Sequence, residues 1–448
     1  MPARPAGYRG RGGEFGGRDA AVRKRELRSA GGRKVLALVM EASLAALAVM
    51  GCSTVLGTSV AAPTLRISPA DGAQGILPEA PIVIAARHGK VKAVTVATAT
   101  GPVRGSLASN GEWRAAEPLA TGTKYTVTAT AIGQDHKKVT VSNTFQTLTP
   151  QKTFSAKITP LGTDQNINDE VVGKQYGVGI PITIMFSRPV TDKAAVERAI
   201  ELRSSKPVVG AWHWQDSKTV IFRPRQYWPQ NTTVTVDANF DGVEAAPGVY
   251  GARNVSLNVS IGPSLIVVAS TRTHYMRVYY KNHLFARWPI STGRPGDDTP
   301  DGTYLTTFKN NPQQMIGPGY DLEVPWSVDF TYSGDFIHDA YWSVDVQGSA
   351  NVSHGCVNTS PAHSEIYYKI EEPGDPVTIM GSPSAGTPGN GWTEWFLSWS
   401  QWLKGSATGD AVVAGPNGST LVSPASLPAT TTDGPIYQPL QGNARANT

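Results

Sequence analysis

Residues 338–358 read His338-Asp339-Ala340-Tyr341-Trp342-Ser343-Val344-Asp345-Val346-Gln347-Gly348-Ser349-Ala350-Asn351-Val352-Ser353-His354-Gly355-Cys356-Val357-Asn358. A cysteine between a glycine and a β-branched residue, with a histidine at a distance, is how a thiolate nucleophile and its base are supplied. Free cysteine titrates at roughly 8.5, so an acyl-transfer thiol needs an imidazole to take its proton or to pair with it as an ion. Two histidines compete for that task. His354 lies two residues before Cys356, and in an extended segment such residues share a face. His338 has to arrive from a neighbouring strand.

His338, fourteen intervening residues and then Ser353-His354-Gly355-Cys356-Val357-Asn358 resemble the pattern of the L,D-transpeptidases that cross-link bacterial peptidoglycan. The resemblance assigns the base to the first histidine, His338, and leaves His354 to shape the loop or meet substrate. The other ring nitrogen of the base needs an acceptor. Asp339 stands where relatives often have serine or glycine, and its carboxylate and its backbone carbonyl both compete for that nitrogen. Adjacent strand residues face opposite sides, which favours the carbonyl. The amides of Gly355 and Cys356 are expected to serve the oxyanion. By resemblance, Tyr320 sits on a flap over the site, Ser333, Gly334, Trp342 and Asn358 line the donor-peptide pocket, and Ser353 counts among the oxyanion or substrate-binding residues. A second landmark lies upstream, Ser291-Thr292-Gly293 followed by Thr299-Pro300-Asp301-Gly302-Thr303-Tyr304.

Plainer readings compete. A lone cysteine is usually a small buried hydrophobe, but the particular flanking pattern weighs against that here. A zinc site from His338, His354, Cys356 and His363 lacks the usual His-x3-His or Cys-x2-Cys pair. Serine-acylase patterns have no usable context. No metal or cofactor is expected.

The chain has two cysteines. Arg23, Lys24, Arg25, Arg28, Arg33 and Lys34 precede an apolar run from Val35 to Met50, and Gly51-Cys52 follows. This order reads as a secretory signal, and Cys52 makes it resemble a bacterial lipoprotein signal with Cys52 as the lipidated residue. Glu41 interrupts the run and Met50 is bulky for its place, so an uncleaved membrane anchor stands as the alternative. Either places the rest of the chain at the outer face of the cytoplasmic membrane, in the cell-wall space. Ten of the 40 Lys and Arg and four of the 35 Asp and Glu lie in residues 1–51. The remainder carries 30 bases and 31 acids, a formal net of −1, so the basic pI belongs to the targeting segment. A nucleic-acid face is not indicated.

Outward from the cysteine motif, the sequence divides into 1–51 as signal with a basic extension and 52–64 as tether. Short alternating strands separated by Gly, Pro, Asn and Asp clusters fill 65–148 and recur over 149–261. Pro181-Ile182-Thr183-Ile184 echoes Pro81-Ile82-Val83-Ile84, and Trp212 and Trp214 are placed where Trp113 sits in the first copy. The fold expected is mainly β: two immunoglobulin-like sandwiches, resembling the modules of mycobacterial L,D-transpeptidases, before a catalytic domain over 262–381. A short helix is expected from Asp192 to Leu202 with Asp192 as N-cap, and another over Pro361–Ile370. Trp392, Trp395, Trp399 and Trp402 follow helical spacing, and a subdomain over 382–404 is read as an amphipathic helix packing back on the protein. Residues 405–448 are rich in Ala, Gly, Ser, Thr and Pro and are expected to be disordered.

The function implied is an L,D-transpeptidase that joins peptidoglycan tetrapeptide stems, donor and acceptor, through a thioester on Cys356, giving 3→3 cross-links. Carbapenem β-lactams are the inhibitors implied. An L,D-carboxypeptidase, a protein-to-wall ligase of the same fold and a non-catalytic lipid-anchored wall-binding module remain as rivals.

Overall fold

The computed structural model describes residues 61–160, 175–317 and 320–427. The expected targeting segment, Cys52 and residues 428–448 of the tail lie outside the described residues. The described residues belong to one compact unit, and the fold is built mainly of strands.

The first sandwich pairs two sheets. Thr64–Ser68, Ile82–Arg87, Glu112–Ala115 and Gly105–Leu107 make one, in that spatial order. The other runs Ala73–Ile76, Lys138–Thr147, Lys124–Gly133, Gly89–Thr98 and Gly101–Pro102. Strict alternation along Lys124–Gly133 buries Tyr125, Val127, Ala129 and Ala131 and exposes or half-exposes the residues between them, the signature of a sheet with one solvated face.

The second sandwich repeats this plan. Its first sheet orders Ala156–Thr159, Ile182–Phe186, Thr219–Pro224 and Val208–Trp214, and its second orders Gln175–Tyr176, Val255–Ile261, Thr232–Ala238 and Ile200–Ser204. The register corrects the tryptophan alignment. Ile82 pairs with Trp113, whereas its counterpart Ile182 pairs with Phe222. Trp113 therefore corresponds to Phe222, and Trp212 stands opposite Phe222 as Leu107 stands opposite Trp113. Gly105 and Gly210 confirm the match, since a Cβ at either would strike the ring of Trp113 or Phe222. The expected helix is shorter, Lys193–Arg198, with the Asp192 side chain accepting from Ala195 N at 2.9 Å. Ile200 and Leu202 turn into a strand because they are needed in the core.

Two sheets frame the third domain. One orders His283–Pro289, Tyr275–Tyr280, Leu265–Ser270, Pro376–Met380 and Gly302–Leu305. The other orders Lys309–Asn310, Ser327–Asp329, Phe336–Asp339 and Val357–Thr359. Val267, Met276, Val278, Tyr304, Val328, Ile337, Val357 and Val377 fill the space between them. Pro361–Ile370 is helical, capped by Ser360 with proline in the first turn, where its missing N–H costs nothing.

The tryptophan segment packs back as expected, but not as one helix. It breaks into a 3-10 turn, Glu394–Phe396, and a short helix, Trp399–Leu403, capped by Ser398 and Gln401 in a reciprocal box. The break follows from Arg223. This buried guanidinium lies 4.4 Å from the Trp395 ring centre and 4.7 Å from that of Trp402, and its Nη2 donates to Leu397 O at 2.8 Å. A continuous helix would use that carbonyl internally. Trp395 Nε1 donates to Gly179 O at 2.8 Å and Trp402 Nε1 to Ala211 O at 2.9 Å. Trp392, Leu305 and Ile266 join the second sandwich's core, so the sandwich and the third domain are packed as one body. Trp395→Ala is expected to lower unfolding stability by about 3–5 kcal/mol, read from denaturant midpoints, because it empties a large site and strips one face from Arg223.

The disordered-tail expectation is corrected for its first part. Ala411–Gly415 and Gly418–Val422 form a hairpin whose first strand pairs with Val208–Trp214. Buried Glu197 accepts from Ala407 N at 2.6 Å and Thr408 N at 3.2 Å, fixing the approach. The composition is poor in core-formers, yet an edge strand needs only backbone partners and a few small apolar residues, here Ala411, Val412 and Ala414.

Candidate active site

Phe336–Asp339 and Val357–Thr359 run parallel as neighbours, with Ile337 opposite Val357 and His338 opposite Asn358. Ile337 and Val357 are fully buried in the inter-sheet core. Alternation therefore turns His338 to the other face, and Cys356 stands in the bend one place before Val357.

His338 is buried, and its Nδ1 lies 2.7 Å from the backbone carbonyl of Asp339. That carbonyl accepts from the ring, which leaves Nε2 free of a proton. The Asp339 carboxylate points away; its Oδ1 is buried without a partner. Burial holds Asp339 above the usual carboxylate range, with the Tyr341 N–H opposing. Burial also drives His338 down to about 4, against the pull of the Asp339 carbonyl.

Cys356 is half-buried and unpaired. Its Sγ is 3.8 Å from Gly334 O. Burial pushes the thiol up to about 12; the Phe336 backbone N–H works against the rise, and the carboxylates of Asp335 and Asp329 add to it. Both shifts favour a neutral thiol and a neutral imidazole over an ion pair.

The loop carrying Cys356 is tied down from several sides. Ser353 Oγ donates to Cys356 O at 2.6 Å and accepts from Gly355 N at 3.2 Å. Ser353 is therefore buried and clamps the cysteine loop, and the Gly355 amide is already engaged. Of the two expected oxyanion donors, only the Cys356 amide lacks an acceptor among the described residues. Asn358 is likewise turned inward, its Nδ2 on Ser343 Oγ at 3.1 Å, so it does not line an open pocket. Ser333, Gly334 and Trp342 are exposed beside the thiol and the imidazole. The Trp342 and His338 ring centres lie 6.0 Å apart. His354 is exposed, and Tyr320 covers it with ring centres 5.2 Å apart. Burial raises the Tyr320 hydroxyl, and Cys356 adds to the rise. Tyr320 opens the strand Tyr320–Val324, paired with Gln313–Gly317 in a two-stranded hairpin of its own.

Residues of the upstream landmark hold the site. Thr299 Oγ1 donates to Gly355 O at 2.5 Å and accepts from Gly293 N at 2.9 Å. Ser291 exchanges backbone bonds with Asn358, and Arg294 N donates to Ser353 O at 2.9 Å. The upstream Ser-Thr-Gly and Thr-Pro landmark is thus a strap across the cysteine loop. Buried Asp335 accepts from Thr331 Oγ1 at 2.8 Å and Ser333 Oγ at 3.1 Å. Its proximity to the sulfur follows from chain position, directly after Gly334.

Residues 264–379 match the family of L,D-transpeptidase catalytic domains, and residues 73–244 match bacterial Ig domains. The chain is 32% identical to L,D-transpeptidase 2 of Mycobacterium tuberculosis over 363 residues, 77% of this chain and 85% of that protein. It is 34% identical to L,D-transpeptidase 5 of the same organism over 360 residues, 77% of each chain. The chain belongs to the L,D-transpeptidase family. A solved LD transpeptidase in complex with imipenem is 33% identical over 46% of this chain and 94% of its own, with a TM-score of 0.39.

In this L,D-transpeptidase, Gly355 has φ +127°, and a Cβ there would overlap Asp335 Oδ1. Only glycine tolerates that conformation and approach. Gly355→Ala is expected to displace the cysteine loop and lower kcat by about 100-fold, since misplacement by about 1 Å has that cost. Steady-state kinetics beside a thermal midpoint separate this from global unfolding.

Proposed function

We propose that this transpeptidase forms 3→3 cross-links between peptidoglycan tetrapeptide stems through a thioester on Cys356. The observation that carries the reading is that Cys356 leads directly into the strand that pairs with the His338 strand, with His338 Nδ1 committed to the Asp339 carbonyl. As the Sγ–C bond forms at the carbonyl of the third stem residue, the thiol proton passes to His338 Nε2. The C–N bond to the terminal D-alanine then breaks, and the imidazolium returns the proton to the departing amine. The Cys356 amide serves the oxyanion. An amine from a second stem attacks the thioester, loses a proton to His338 and restores the thiol. No step calls for a metal or cofactor. Tyr320, Trp342, Ser333 and Gly334 border the donor site. Asp339 acts through its carbonyl.

The same thiol should open a carbapenem ring, giving a stable acyl adduct on Cys356. The enzyme works at the outer face of the cytoplasmic membrane, exported by residues 1–51 and held through lipid on Cys52. Purified disaccharide-tetrapeptide, followed by mass spectrometry, tests the reaction. Dimers lacking one D-alanine are the expected product. Tripeptide monomers alone would indicate a carboxypeptidase, and unchanged substrate with no carbapenem adduct would indicate a binding module.

A further inference from the structure

The first sandwich ends in a cluster of cations on the side where the chain enters it. Pro63 is wedged between Gly89 and Gly133, 3.0 Å and 2.9 Å from where a Cβ on each would stand. These two glycines are paired across Gly89–Thr98 and Lys124–Gly133, so residues 61–64 join the fold at this tip. Arg87, Lys90, Lys92, Lys137 and Lys138 are all exposed around it. Lys90 and Lys138 flank Ile132 in register, so the three side chains share the solvated face. His88 and His136 occupy the two turns, at φ 58° and 59°, and are exposed. The one acid in these turns, Asp135, stands 3.5 Å from Lys137 Nζ. Residues 65–148 carry nine Lys and Arg against five Asp and Glu, while 262–381 carry seven against thirteen. The chain beyond residue 51 is therefore polarised, with an excess of base in the first sandwich and an excess of acid in the catalytic domain.

We propose that this tip is an electrostatic foot that rests on anionic phospholipid headgroups. Two features select a bilayer. The charge is complementary to a phosphate surface. The tip also lies at the end of the tether: the ten residues Ser53–Ala62 span at most about 35 Å, so the tip cannot stand farther than that from wherever Cys52 is held. The orientation follows from the export reading of residues 1–51, whereas the charge-driven contact does not depend on it. With the foot down, the second sandwich and the catalytic domain packed on it are directed away from the membrane toward the wall.

The test uses the chain from Ser53 onward, without lipid. It is co-sedimented with vesicles of phosphatidylcholine alone and of phosphatidylcholine with phosphatidylglycerol, at low and high salt. Binding is expected only to the anionic vesicles, weakening as salt screens the contact. Each Lys or Arg near such a surface contributes about five-fold in partitioning. The combined variant Lys90→Glu, Lys92→Glu, Lys137→Glu and Lys138→Glu is expected to lose at least about 100-fold, with its thermal midpoint and its cross-linking of soluble substrate unchanged. Equal partitioning of the parent and this variant would overturn the proposal. So would binding by the parent to isolated wall sacculi but not to vesicles, which would make the occupant an anionic wall polymer. If the full-length chain fails to fractionate with membranes while the shorter chain still binds anionic vesicles, the export reading fails and the foot stands.

Discussion

Replacing Cys356 by alanine is expected to lower kcat by about 10⁴-fold or more, into the range seen when a covalent nucleophile is removed, and to eliminate the carbapenem adduct from the intact mass. The expectation follows from where the sulfur sits. It stands at the mouth of Val357–Thr359, half-exposed toward substrate, while the loop behind it is fixed by Ser353, Thr299 and the Gly355 approach to Asp335. Deleting Sγ removes none of those ties, so the fold should survive and the loss should be chemical. Cys356→Ser should rescue little, because an alkoxide is harder to form beside Asp335 than a thiolate. The neutral resting pair adds a second expectation. With the thiol pushed up, alkylation by iodoacetamide at neutral pH should be slower than for a free cysteine, whereas a carbapenem bound beside His338 is still expected to acylate it. Turnover by the alanine variant would remove the thioester from the reaction and leave the mechanism without its nucleophile.

What the sequence made legible, and what it did not, divides along a physical line. The histidine, the cysteine and the helix Pro361–Ile370 were readable because each is a local pattern with a local cause. The tandem sandwiches were readable from strand alternation, but equating Trp113 with Trp212 and Trp214 went wrong. Spacing counts residues along a chain, whereas register is set by which strand lies next to which. Asp335 was invisible because its importance comes from a Gly355 backbone twenty residues away folding onto it. Arg223 was invisible for the same reason: nothing in Ile221-Phe222-Arg223-Pro224 announces two tryptophans from residues 395 and 402. Its guanidinium is what breaks the periodic tryptophan run, so a clean helical spacing gave a broken helix. The tail strand Ala411–Gly415 failed on composition alone, since its order is supplied by the edge of a sheet built elsewhere.

Exchanging the two competing histidines should give widely separated effects. His338→Gln is expected to lower kcat/KM by about 10³-fold, the scale of a general base, whereas His354→Gln should stay within about ten-fold. His354 is exposed under Tyr320; His338 is buried, with Nδ1 held by the Asp339 carbonyl, on the strand beside the one that Cys356 leads into. Reversed outcomes would transfer the base to His354. The pH dependence supplies an independent check with a definite sign. His338 must be neutral to accept a proton, and burial keeps it so down to about pH 4. The acid limb of kcat/KM should therefore fall near pH 4, well below the ordinary imidazole value of about 6.5. Stability should follow the same linkage. In the unfolded chain this histidine takes up a proton as pH drops through about 6.5, while the folded ring refuses it until about 4. Stability from this group is thus intact above 6.5 and lost progressively between 6.5 and 4, by about 3 kcal/mol at most. The glutamine variant cannot titrate there, so the difference in unfolding free energy between parent and His338→Gln should shrink across that window. A difference that grew instead would mean the imidazole is held as a cation in the folded protein, and the neutral-pair mechanism would give way to a preformed ion pair.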